Sequence, residues 1–300
     1  MSTPNYLNPG DKVAILCPAS YISTDLTAAY EILKEWGLEP IIFKSVSARD
    51  NHFAGTDELR TKDFQEALDN PKIKAIIAAR GGYGSVRIID QINFEKFQQN
   101  PKWIVGFSDV TVIHSHIQNN YKIPTIHGQM IKSLLTGTEA SKQTLYNTLF
   151  GKNIDLEYKN NAFPNRIGNS EGILIGGNLA LLQSIIASSS DTNYDNKILF
   201  IEDVEESFYN IDRMLWTLKR AGKLSKLKGL IVGSFTELKD SNPSFGQKFE
   251  EIIMDKVKEY NFPVAFSCPS GHIEDNHALV LGRKINLQVD TNNVKLTYID

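Results

Sequence analysis

From residue 12 to residue 127 the chain alternates short apolar runs with stretches of helical period, and this alternation restricts the fold more than any other feature. Residues 12–17 form a compact apolar run, closed by Pro18, Ala19 and Ser20. Leu26, Ala29, Tyr30, Leu33 and Trp36 then share one helical stripe, with Gly37 suited to end the helix. Residues 40–43, 73–79, 103–106 and 124–127 read as further strands. Residues 58–69, 88–98 and 110–119 read as the helices between them, with Asn93 interrupting the second. Strands that recur through helical crossovers build a mostly parallel sheet, which predicts an α/β fold. Ligands of such sheets bind beyond the carboxyl ends of the strands. Ser20, the loop Arg80-Gly81-Gly82, Ser108 and the pair His127-Gly128 all fall there.

Residues 151–168 are rich in Asn, Lys and Pro and carry no clear period, so they read as a linker between a first domain, 1–150, and a second, 169–300. In the second domain Asn178 is placed to cap an apolar helix that runs to about residue 187. Residues 197–203 read as a buried strand ending in Glu202 and Asp203, followed by a helix over 211–221 started by Asn210 or Asp212. A strand over 227–232, a helix over 249–260 and a short strand over 263–266 lead to Gly271-His272. Residues 278–281, 285–289 and 294–298 suggest a β-meander, making this domain β-rich at its end.

Composition removes several classes of function. The 300 residues carry a net charge of only −3, and no basic block is dense enough for a nucleic-acid face. The cations from Lys219 to Lys228 follow a helix and read as its solvated end. No apolar run reaches membrane-spanning length, and the N-terminus has neither the basic nor the apolar region of a signal peptide. Cys17 and Cys268 are the two cysteines, and neither lies in a metal-type cluster. A cytoplasmic chain with reduced thiols, no nucleic-acid partner and no membrane partner is therefore expected.

Three polar residues lie just past strands. Ser108 follows Gly106-Phe107 and precedes a helix, so it suits either a helix cap or a nucleophile at a strand-to-helix turn. Glu202 ends a strand and His272 follows a turn, and each alone reads as a local hydrogen-bonding group. Together they occur in the chain order serine, acid, histidine, which is one hydrolase order, although Gly106-Phe107-Ser108-Asp109-Val110 is not the G-x-S-x-G elbow. The loop Gly82-Tyr83-Gly84-Ser85-Val86-Arg87 falls short of a dinucleotide fingerprint, because Arg87 stands at the third glycine position. It reads as a tight turn or as a loop of backbone donors. His114 and His116 lie two apart on a helix, do not share a face, and so do not suit a metal.

Five motifs in register carry a resemblance: Arg80-Gly81-Gly82-Tyr83-Gly84, Gly106-Phe107-Ser108-Asp109-Val110-Thr111, Gly176-Gly177-Asn178-Leu179, Ile201-Glu202-Asp203 with Tyr209 to Arg213, and Gly271-His272. The chain, from about Gly10 to about Leu287, resembles the LD-carboxypeptidase family of serine peptidases, which includes muramoyltetrapeptide carboxypeptidases and microcin C immunity peptidases. The resemblance implies a flavodoxin-like first domain, a smaller α/β second domain, and an active site between them. It implies Ser108 as nucleophile, Glu202 as acid and His272 as base, with the backbone amides of Gly82 and Asp109 as oxyanion donors. It implies no metal and no cofactor, a homodimer, and a small peptide substrate, the murein tetrapeptide or another muropeptide, cleaved at an L,D-peptide bond to release terminal D-alanine in cell-wall recycling. A peptidyl-nucleotide amide is the alternative substrate, and a non-enzymatic ligand-binding α/β protein is a further one. Two positions depart from the family pattern. Glu205 replaces a common glycine, and Gln129 a common proline, and both are expected to alter the substrate pocket. Arg80, Arg213 and Arg283 are candidates for holding a substrate carboxylate.

Overall fold

The computed structural model describes residues 3–160 and 163–299. Its strands in chain order are β1 (Lys12–Leu16), β2 (Glu39–Ile42), β3 (Ile73–Ala78), β4 (Trp103–Gly106), β5 (Thr125–His127), β6 (Leu156–Lys159), β7 (Gly168–Asn178), β8 (Lys197–Val204), β9 (Gly229–Thr236), β10 (Val264–Ala265), β11 (Leu279–Leu281), β12 (Lys284–Val289) and β13 (Asn293–Tyr298). They form two sheets.

The first sheet has the order β11-β5-β4-β3-β1-β2. Strands β1 to β5 are parallel and follow the flavodoxin-like order 2-1-3-4-5. The central strands read as continuous apolar runs because helices cover both faces. On one face Val13, Ile15, Ala75, Ile77, Trp103 and Val105 join a core with Leu33 and Leu145. On the other, Ala14, Leu16, Ile76 and Ile104 pack with Phe64, Phe97 and Ile113. Residues 88–98 are not one helix. A short helical turn at Ser85–Ile88 passes through a 3-10 turn into Glu95–Gln99, with Asn93 accepting the Glu95 amide.

The second sheet has the order β10-β9-β8-β7-β12-β13-β6. It is parallel from β7 to β10 and antiparallel beyond β7. Three expectations are corrected here. The stretch 151–168 carries β6, which pairs with β13, because Leu156 and Tyr158 alternate inward on a buried face; Asn161 and Ala162 of that stretch lie outside the described residues. Residues 278–281 do not join a meander. As β11 they cross back and pair antiparallel with β5, while β12 and β13 pair with each other. The helix after β8, Phe208–Arg220, starts at Ser207, two residues before Tyr209 and ahead of Asn210 and Asp212. No helix among the described residues is long and apolar enough to cross a membrane.

Candidate active site

Ser108 follows the buried strand β4 by two residues. Its φ is +59°, a left-handed conformation that costs a non-glycine residue roughly 1–2 kcal/mol. A 3-10 turn, Ser108–Val110, leads directly into the helix Thr111–Asn120. Ser108 is therefore not a side-chain cap: Phe107 occupies the cap position, and the Ser108 hydroxyl makes no hydrogen bond among the described residues. Ser108 stays partly exposed in this strained turn, with amides at the start of a helix beside it. The turn is braced from below, where buried His114 Nε2 lies 2.9 Å from the Gly106 carbonyl. Burial pushes the His114 pKa down to about 4, so the ring is neutral and Nε2–H donates.

The glycine loop lies against this turn. A Cβ on Gly81 would stand 3.1 Å from Ser108 Cβ and 3.3 Å from its Oγ, and Gly82 takes φ +110°. The Gly82 amide donates to no acceptor among the described residues. The loop is pinned on its far side. Fully buried Arg60 donates from Nη1 to the carbonyls of Pro18 (2.6 Å) and Gly84 (3.1 Å). Asp109 Oδ2 accepts the Ser85 amide at 2.8 Å. Burial raises the Asp109 pKa, against the hydrogen bonds from Ser85 and Gly84 and the charge of Arg60. Asp109 thus has two parts: its amide opens the turn after Ser108, and its carboxyl ties that turn to the glycine loop.

The second domain brings Glu202 and His272 together. Glu202 lies inside a central strand, β8, two residues before its end, and its side chain is completely buried; His272 Nδ1 lies 2.6 Å from Glu202 Oε2. Burial works against the charged imidazole, but the charge and hydrogen bond of Glu202 outweigh it, with Asp203 and Glu205 adding, and the His272 pKa is raised. The ring packs edge-on against Phe107, centroids 4.9 Å apart, which sets it one residue from Ser108. No hydrogen bond joins Ser108 Oγ to His272 among the described residues. Such contacts are often loose without substrate. Behind them His127 is fully buried with both ring nitrogens unpartnered among the described residues, and burial, with His114 and His272 adding, drives its pKa well below the ordinary value.

Sequence reasoning missed the seam between the two halves. Asn178 does cap the helix Leu179–Ser184, accepting the Leu181 amide at 3.2 Å. Its own amide donates to Thr111 Oγ1 at 3.0 Å, and its Nδ2 donates to Asp203 Oδ1 at 2.8 Å. Asp203 also accepts the Ala180 and Val204 amides, while burial and neighbouring Glu202 push its pKa up to about 7.

The remaining candidates hold other positions. Gln129 is buried and donates to Ser141 Oγ (3.1 Å) and the Glu274 carbonyl (2.9 Å), so it braces the His272 loop rather than facing a substrate. Glu205 is exposed with φ +61°, which accounts for a glycine suiting that position. Arg283 donates to Tyr6 Oη and lies over Tyr298. Tyr6 stacks on Trp103 at the start of β4, the opposite end of the strand from Ser108, so Arg283 is removed from the site. Arg80 donates to the Tyr21 carbonyl at 2.7 Å, and Arg213 lies over Tyr209. His116 is held by Ser190 Oγ at 3.0 Å.

Residues 13–128 match the LD-carboxypeptidase N-terminal domain and residues 171–287 the LD-carboxypeptidase C-terminal domain. A Bacillus subtilis protein described as a probable murein peptide carboxypeptidase is 32% identical over 94% of this chain and 90% of its own length. The murein tetrapeptide carboxypeptidase of Pseudomonas aeruginosa is 30% identical, covering 92% of this chain and 93% of its own. The crystal structure of muramoyltetrapeptide carboxypeptidase from Oxalobacter formigenes superposes with a TM-score of 0.87 at 29% identity, covering 96% of this chain and 99% of that one.

Proposed function

The chain belongs to the LD-carboxypeptidase family and is a serine-type LD-carboxypeptidase, and from that premise we propose how its residues divide the work and on what substrate. Ser108 Oγ attacks the carbonyl of the L-residue in an L,D-peptide bond. His272 takes the hydroxyl proton at Nε2, while Glu202 holds Nδ1–H and stabilises the imidazolium that forms. The amides of Gly82 and Asp109 donate to the oxyanion of the tetrahedral intermediate. His272 then returns the proton to the departing amine, leaving an acyl-enzyme on Ser108. Water, deprotonated by the same imidazole, releases the shortened peptide. Residues 1–150 supply the nucleophile and both oxyanion donors, and residues 169–300 the acid and base.

The substrate is the murein tetrapeptide, from which terminal D-alanine is released during cell-wall recycling in the cytoplasm; the enzyme acts as a homodimer. The names of the relatives support this choice of substrate. The observation that carries the division of roles is the buried Glu202 carboxylate hydrogen-bonded to His272, with that ring packed one residue from a left-handed Ser108.

The test is a panel of muropeptides that differ only in the chirality of the terminal alanine and in chain length. Release of D-alanine from the tetrapeptide, and none of L-alanine from its epimer, is expected. Equal rates on both epimers, or cleavage of a peptidyl-nucleotide amide in preference to the tetrapeptide, would contradict it.

A further inference from the structure

A second serine–histidine pair sits behind the glycine loop. Ser20, four residues past β1, is buried to 1% exposure. Its Oγ accepts the Tyr83 amide at 3.1 Å and lies 2.8 Å from His52 Nε2. A Cβ on Gly82 would stand 2.2 Å from that Oγ, so the loop rests directly on the hydroxyl. Ser20 is itself fixed by backbone. It bridges to Phe53, the Ala54 amide donates to the Ala19 carbonyl at 3.0 Å, and the Tyr21 amide donates to the His52 carbonyl at 3.2 Å. The His52 ring stands edge-on to Phe53 with centroids 5.4 Å apart, and Phe53 in turn contacts Tyr83.

This arrangement decides where two successive amides point. Tyr83 N–H is directed back onto Ser20, and the amide before it, Gly82 N–H, which follows the Gly81 packed on Ser108, has no acceptor among the described residues. A hydroxyl has one proton and two lone pairs. With one lone pair taken by Tyr83 N–H, the rotor is set by His52, which either accepts the Ser20 proton or donates into the second lone pair. Ser20 is too deeply buried to meet a substrate, so anything it does for catalysis passes through the loop.

We propose that Ser20, oriented by His52, is a positioning residue: by holding the Tyr83 amide it keeps the Gly82 amide aimed at the oxyanion. The proposal rests on the reading of Ser108 as nucleophile and Gly82 as oxyanion donor. A donor contributes most when it is already in place before charge develops, so a loosened one raises the barrier without weakening substrate binding.

Ser20→Ala, His52→Ala, the double variant and Ser108→Ala are compared in D-alanine release from the tetrapeptide. Loss of a whole oxyanion donor costs about 10²–10³ in kcat, so loosening one through Ser20→Ala is expected to lower kcat about 10- to 100-fold. KM should stay within about two-fold, because the interaction belongs to the transition state. His52→Ala is expected to lower kcat by a smaller factor. The double variant should be no slower than Ser20→Ala, since His52 acts through the hydroxyl. Unchanged kcat in Ser20→Ala, a fall carried by KM, or effects that multiply in the double variant would overturn the proposal. If Ser20→Ala does not fold, His52 is exposed and its variant decides alone, with unchanged kcat overturning the proposal. An inactive Ser108→Ala beside a fully active Ser20→Ala sinks this inference only. Turnover retained by Ser108→Ala sinks the triad reading, and this inference with it.

Discussion

His272 Nδ1 lies 2.6 Å from Glu202 Oε2, with the carboxylate side chain wholly buried and a fifth of the imidazole exposed. Only a neutral imidazole can take the Ser108 proton, so activity falls as pH drops through the His272 pKa. That pKa is raised despite burial, chiefly by Glu202, and the acid limb of kcat/KM should lie above the ordinary histidine value of about 6.5. Glu202→Gln keeps the shape and removes the charge. Burial then dominates, and the limb moves to lower pH while the rate at its plateau falls on the order of 10⁴-fold. The same pair adds stability that is fully present below a pH of about 6.5 and fades as pH rises through the raised folded-state pKa. A pH–rate profile of both proteins checks the limb. A limb that stays in place in Glu202→Gln would show that the pair does not set it.

Glu205 is a second handle on the same ring. It holds a left-handed φ of +61° and is one of the carboxylates raising the His272 pKa. Glu205→Gly relieves that backbone, at some cost in unfolded-chain entropy, and should stabilise the fold by about 0.5–1 kcal/mol in urea unfolding. It should also shift the acid limb down slightly. A destabilised variant would mean that the Glu205 side chain makes a contribution larger than the strain it carries.

The seam between the domains should be as sensitive as the triad. Thr111→Val removes the acceptor of the buried Asn178 amide and is expected to cost about 1–3 kcal/mol. Gly177→Ala is harsher: its Cβ would stand 2.5 Å from Thr111 Oγ1, at a φ of +139° that side chains rarely adopt. Its destabilisation should exceed that of Thr111→Val and be accompanied by a fall in kcat, because Thr111 opens the helix that follows Ser108. Denaturant unfolding and steady-state kinetics on both variants measure this. A stable Gly177→Ala with normal turnover would show that the two halves are not coupled through Thr111.

Much of this was legible in the residues, and the gaps have physical causes. The apolar runs of β1 to β5 and the helices between them specify a parallel sheet, because short buried strands need helical crossovers. Ser108, Glu202 and His272 stand out as polar residues read at strand ends, in an order that hydrolases use, although β8 continues two residues beyond Glu202. A strand's destination is harder to read. Residues 278–281 are apolar enough for either sheet, and only the packed structure assigns β11 to the first. Ser108 reads as a cap because serine favours caps; its positive φ, and the packing of Gly81 against it, belong to the assembled site and not to a local pattern. Gln129 shows the same limit. Its side chain is braced on Ser141 and on Glu274, a residue far along the chain. Ser20 and His52 lie on separate loops whose hydrogen bond exists only once β1 and its neighbours are assembled.

The central claim is that Ser108 is the nucleophile, and D-alanine release from the tetrapeptide by purified Ser108→Ala tests it most directly. Removing a triad nucleophile costs on the order of 10⁶ in turnover. The variant should therefore show no measurable release under conditions where the wild type is saturated, while unfolding at the same or a higher denaturant concentration. Release within ten-fold of the wild-type rate would contradict the account.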